Sequence, residues 1–113
     1  MTRTPPAPPF PELVRSPPKS FGWLDARLLR DKWLGLLGPE RIAALTLLAL
    51  AADRTGSSFY RRETMAEALS MRASELDEAL DRLQHLGLLA FRPWSPGQID
   101  GVWQLLPLPA RRH

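Results

Sequence analysis

The stretch ETMAEALSMRASELDEALDRLQHL (63–86) holds two helical patterns with almost nothing between them. In the first, Met65, Ala66 and Leu69 share a face. In the second, Leu76, Ala79, Leu80, Leu83 and Leu86 recur at helical spacing. A break of roughly four residues is too short for a flexible linker, yet long enough to turn the second helix across the first. The second pattern carries its own start signal. Ser74 can accept a hydrogen bond from an orphan backbone N–H, with Asp77 standing three residues on in place of the usual Glu. Gly87 is placed to close it.

The flanks add elements on both sides. Pro39 and Glu40 suit the first turn of a helix over 39–54, and Gly56 is placed to stop it. That helix is apolar on most sides, so it is central in the domain or part of a dimer contact. In 113 residues the central position is the expectation, with a homodimer through this helix or through an N-terminal strand as the alternative. Its longest apolar run, AALTLLALAA (43–52), is shorter than the ~20 residues a bilayer requires. Upstream, FGWLDARLL (21–29) reads as a strand anchored by Phe21 and Trp23. Asp31 can cap a short helix over 32–37, ended by Gly38. SSFY (57–60) is a short extended piece. LLAFRPW (88–94) and VWQLL (102–106) read as paired strands around a loop with Pro96-Gly97 and Asp100-Gly101 turn chemistry. Trp103 alternates with Val102 and Gln104 and packs inward; core or semi-buried packing is the expectation for Trp94 too. An exposed Trp94 would instead be a candidate protein-contact anchor.

Seven of the 12 prolines lie in residues 1–20, which excludes a regular helix or central strand there. This segment reads as an extended, disordered arm. With no cysteine, disulfides, thiolate metal sites and thiol catalysis are excluded, which fits a cytoplasmic protein. The first 20 residues lack the apolar stretch of a secretion signal. Positive charge is mostly arginine, 13 against 2 lysines, and both tails are basic. Basic tails suit nucleic acid or serve only solubility.

From Leu37 to Leu106, the order helix, short strand, helix, tight turn, helix, strand, loop, strand resembles the winged helix-turn-helix. Met65, Ala66, Leu69, Met71, Leu76 and Ala79 match the apolar spacing of its helix pair, with Ala66 as the small contact and Met71 plugging the turn. Ser70 departs from the glycine common there. The lead-in GWLDARLLRDKWLGLLGPERIAALTLLALAAD and QHLGLLAF resemble winged-helix domains of plasmid and phage replication initiators and small bacterial regulators. The resemblance implies an α+β, mostly α domain over 21–109: a three-helix core, a two-stranded wing and a short N-terminal strand and helix. The arm (1–20) and a basic tail (110–113) flank it.

In such domains the third helix enters the major groove of double-stranded DNA. Here Ser74, Glu75 and Glu78 would lie nearest the bases, with Arg82 further along. Arg61 and Arg62 at the start of the second helix, Arg72 in the turn and Arg92 at the wing base would grip phosphates, with Arg54 and the tails in support. These arginines are otherwise ordinary solvated side chains. Against the DNA reading stand Glu75, Asp77, Glu78 and Asp81, four acids facing one arginine in 73–87. Acids in the first turn are explained by the helix dipole, but Asp81 lies beyond it. The alternative is a protein-interaction adaptor that offers this acidic helix and the proline-rich arm to partners. No HExxH, GxSxG, Walker loop or GxGxxG is present, and the histidines are His85 and His113. The expectation is a non-enzyme with no metal and no cofactor, acting in transcription regulation, replication or a mobile element.

Overall fold

The computed structural model describes residues 6–110. Among them the fold is α+β and mostly helical. Helices α1 (Arg27–Arg30), α2 (Trp33–Leu37) and α3 (Pro39–Ala51) lead to strand β1 (Ser57–Ser58). Helices α4 (Arg62–Leu69) and α5 (Ala73–His85) follow, then strands β2 (Leu89–Pro93) and β3 (Gly101–Leu105). Helix α3 is central: Ala44, Leu45, Leu48 and Ala49 are buried, and it packs on α2, α4, α5 and the sheet. Leu76, Ala79, Leu80 and Leu83 of α5, Met65 of α4 and Trp103 of β3 complete the core. Five of these groups are leucines on two crossing helices, each worth roughly 1.5–3 kcal/mol when taken out of water, so the α3–α5 contact is a large part of the core.

Helix α3 ends at Ala51 rather than 54, because Asp53 captures the chain beyond it. Its Oδ1 accepts from the Thr55 N–H at 2.8 Å, the Thr55 hydroxyl at 2.7 Å and the Ser57 N–H at 3.0 Å. Gly56, at φ 81°, therefore completes a turn into β1 and does not stop the helix.

The expected strand over 21–29 is absent. Phe21 and Trp23 are 65% and 76% exposed, and Arg27–Arg30 is helical. Asp25 starts that helix by accepting the Arg27 N–H at 2.8 Å. Gly22 lies flat on α3, where a Cβ would come within 2.4 Å of the Ala49 carbonyl oxygen. The segment is thus pinned by contact with a helix, with no strand partner. Asp31 does not cap α2; it closes α1, and α2 begins after Lys32 in a left-handed conformation.

The helix pair is close to expectation. Ser70 takes φ 53° in the place where glycine is usual, with its N–H bonded to the Glu67 carbonyl and the Met71 N–H bonded to that of Ala66. Met71 and Ala66 pack against the core. The cap of α5 is corrected: Arg72, not Ser74, is the N-cap, and Ser74 lies exposed in the first turn. Glu75 stands three residues after Arg72 and accepts its N–H at 3.1 Å. At the other end Gly87 is left-handed, and the buried Leu88 donates its N–H to the Leu83 carbonyl at 3.0 Å.

The sheet has three strands in the order β1-β3-β2, all antiparallel: the expected two-stranded wing, with the short extended piece expected over 57–60 pairing on β3 as Ser57–Ser58. Ser58, Trp103 and Phe91 form one cross-sheet row facing the helices, with Trp103 wholly buried. Trp94 does not pack inward; it is 56% exposed. Residues 6–20 are exposed throughout and hold one 3₁₀ turn, Pro11–Leu13. The basic tail residues Arg111, Arg112 and His113 lie outside the described residues.

Candidate nucleic-acid interface

Arg62 is the first of the expected phosphate contacts, and its side chain is turned inward, 23% exposed. Its Nη1 meets Asp77 of α5 at 2.8 Å, and its Nε donates to the Ile99 carbonyl at 3.0 Å. The guanidinium lies over the Trp103 ring at 4.8 Å and the Phe91 ring at 5.6 Å. A planar, weakly hydrated cation suits this position, which asks for forked donors and a flat face together. The Arg62 N–H is bonded to Asp100 at 3.0 Å, so a loop carboxylate covers the N-terminus of α4. Arg62 therefore ties α4, α5 and the β2–β3 loop (94–100) to one another.

The acids of α5 are engaged in the same way. Glu75 bonds the Arg72 backbone N–H and its Nε, at 3.1 and 3.2 Å. These bonds, the backbone one first, hold the Glu75 carboxyl below the usual range. Asp77 pairs with Arg62. Glu78 pairs with Arg41 of α3 at 2.5 Å, and this bond holds the Arg41 guanidinium further up. Asp81 lies 3.7 Å from His85, an ion pair when the imidazole is protonated. Three of the four α5 acids thus have an arginine counter-ion, one from each of α3, α4 and the turn.

Of the expected site residues, then, Arg62 is turned into the fold, Glu78 is half exposed and paired with Arg41, and Glu75 is paired with the exposed Arg72. Arg61, Arg82, Arg92 and Ser74 are exposed, and among the described residues these arginines enter no ion pair. Arg54 is exposed too. Arg61 lies at the start of α4 and Arg92 on β2, opposite Val102. Two features escaped sequence reasoning. Arg41 finds Glu78 across 37 positions of chain, a pairing no local pattern announces. Phe59 and Trp94 stack at 5.8 Å with their planes 9° apart, joining the two edge strands' ends on the surface.

Among the described residues no cluster of three or more His, Asp or Glu side chains is placed to hold a metal ion. No helix there is long and apolar enough to cross a membrane. No protein-family model matches the chain, and neither does any curated protein or solved structure.

Proposed function

We propose that the chain is a winged-helix protein that binds double-stranded DNA, as a regulator or an accessory factor of replication or of a mobile element. On this reading α4 and α5 are the helix-turn-helix and β2–β3 the wing. The observation that carries it is the charge arrangement around α5. Three of its four acids are paired with Arg72, Arg62 and Arg41, so the net charge around the helix is smaller than its sequence suggests. Arg61, Arg82 and Arg92 stay free to meet phosphates, with Arg54 nearby in sequence to β1. Such contacts fix position and carry little sequence information. Ser74 is the uncharged polar group left at the start of α5 to reach a base edge. Arg62 serves indirectly by holding the wing against the helix pair.

The test is charge reversal at the free arginines. Arg61→Glu with Arg92→Glu should abolish retention of a duplex at low salt while leaving the thermal unfolding midpoint unchanged. Unchanged retention by the folded double variant would overturn the reading.

A second reading, a protein-interaction adaptor, is favoured by one feature. A groove of about 840 Å³ lies between Phe21–Leu28, the end of α3 and the C-terminal segment, and it is flanked by exposed Phe21, Trp23 and Leu24. The same double variant separates the two, since an adaptor would keep its partner after losing Arg61 and Arg92.

A further inference from the structure

The outer face of the sheet carries an aromatic surface that duplex binding does not use. The register runs Ser57↔Gln104 and Ser58↔Trp103, so the next position on the β1 side, Phe59, falls opposite Val102. Val102 in turn pairs with Arg92. Side chains alternate along a strand, so Phe59, Val102 and Arg92 share the face turned away from the helices, and Trp94, two residues past Arg92, shares it too. The Phe59 and Trp94 rings close over this row, nearly parallel at 9°, and are 57% and 56% exposed. Tyr60 is also exposed, and it lines a shallow hollow together with Phe59, Arg61 and Thr64. Arg61 lines that hollow beside Phe59, and Arg92 stands two residues before Trp94 on the same face. The nearby Asp100 carboxylate is engaged by the Arg62 N–H, and Glu63 is the remaining exposed acid beside Arg61 in sequence.

Two flat, parallel, solvent-facing rings have more than one possible occupant. A buried protein anchor would need a pocket, and this surface is open. A polyproline segment would be served by the rings but would leave both arginines without a role. An unpaired nucleobase uses every part: its π-face extends the stack on an open ring face, and its flanking phosphates suit the two guanidinium groups. Duplex bases are already stacked on one another and offer no free face.

We propose that this face binds single-stranded nucleic acid, stacking unpaired bases on Phe59 and Trp94 with Arg61 and Arg92 on the flanking phosphates. The site deepens the nucleic-acid reading above, and it shares Arg61 and Arg92 with it while adding the aromatic pair. It gives the wing a task beside the duplex: holding a strand that has been separated.

The experiment is a titration of the full chain with a ten-nucleotide oligothymidylate, followed by tryptophan fluorescence. Of the four tryptophans, Trp33 and Trp103 are buried, so Trp23→Phe leaves Trp94 as the exposed reporter. Oligothymidylate should quench that emission at low salt. Trp94→Ala and Phe59→Ala, read by anisotropy of a labelled oligonucleotide, should each weaken single-strand binding by about tenfold or more. Because both rings lie outside the core and lose only their mutual stack, the variants should stay folded with at most a small drop in unfolding temperature and keep duplex affinity within about twofold. Absence of quenching overturns the proposal, as does unaltered single-strand binding by both variants. So does quenching by a peptide of residues 5–15 and not by oligothymidylate, which would assign the face to the proline-rich arm. The duplex measured in parallel separates the failures. Duplex bound without the single strand sinks this site alone. The single strand bound without the duplex sinks the duplex reading and leaves this site standing.

Discussion

At the scale of residues, Arg62 shows how a charge that looks available from sequence can be spent on structure. Next to Arg61 it reads as half of a basic pair, yet one side chain faces water and the other faces Trp103, Asp77 and the Ile99 carbonyl. Helical geometry is the reason: Arg61 precedes α4, whereas Arg62 is its first residue and points along the helix pair. Arg62→Ala should cost about 1–2 kcal/mol in urea denaturation, from the lost cation–π contact with Trp103 and the packing of the side-chain stem. Arg62→Lys should recover less than half of that, since an ammonium cannot lie flat on the ring while donating in two directions. Arg61→Ala should leave stability within about 0.5 kcal/mol. Asp53 and Glu75 predict the acid limb. Both carboxyls are held below the usual range, Asp53 chiefly by the Thr55 hydroxyl and the Ser57 and Thr55 N–H groups, Glu75 by Arg72. A depressed folded-state pKa gives stability that is complete above the unfolded carboxylate range and is lost as pH falls through and below it. The midpoint of thermal unfolding should fall over that interval, and Asp53→Ala with Glu75→Ala should flatten the fall.

At the scale of elements, what was legible depended on whether the signal was local. The helix pair was legible because its apolar spacing, its short break and Gly87 all lie within one stretch of chain. Ser70 was rightly singled out, and its left-handed backbone gives a direct prediction. Ser70→Gly removes a conformation that costs an L-residue about 1–2 kcal/mol, partly offset by glycine's greater freedom when unfolded. A net gain of about 0.5–1 kcal/mol should appear as a higher urea midpoint with an unchanged slope. The start of α5 was misplaced by two residues because Ser74 is a better cap by type than Arg72. Glu75 decided the matter by reaching back to the Arg72 N–H. The misread strand over 21–29 has a different cause. Its aromatics suggested burial, but the sheet edge was already occupied by β1, and Gly22 lies instead against α3. Gly101 is as tightly placed, since a Cβ there would come within 2.7 Å of the Pro93 Cα and closer still to the Arg92 oxygen. Gly101→Ala should therefore disturb the β2–β3 pairing, read as lost amide protection over Leu89–Leu105 while α3 stays protected.

At the scale of the whole molecule, the candidate site was half legible. The residue types that would touch DNA were visible in the sequence, but their division into working and structural charges was not. That division depends on contacts across 37 positions for Arg41–Glu78 and 15 for Arg62–Asp77, which no periodicity encodes. The same pairs turn an acidic helix into one that is close to balanced. The proposed function rests on that balance and on the three arginines it leaves free. The most direct test is fluorescence anisotropy with a generic duplex across a salt series, on the parent and on a variant with Arg61, Arg82 and Arg92 all changed to alanine. Three phosphate contacts give a slope of log K against log salt of about −2.7. The parent should show at least that slope, and the variant should lose about that much of it. Absence of duplex binding at low salt, or a variant that keeps the parent's slope, would contradict the account.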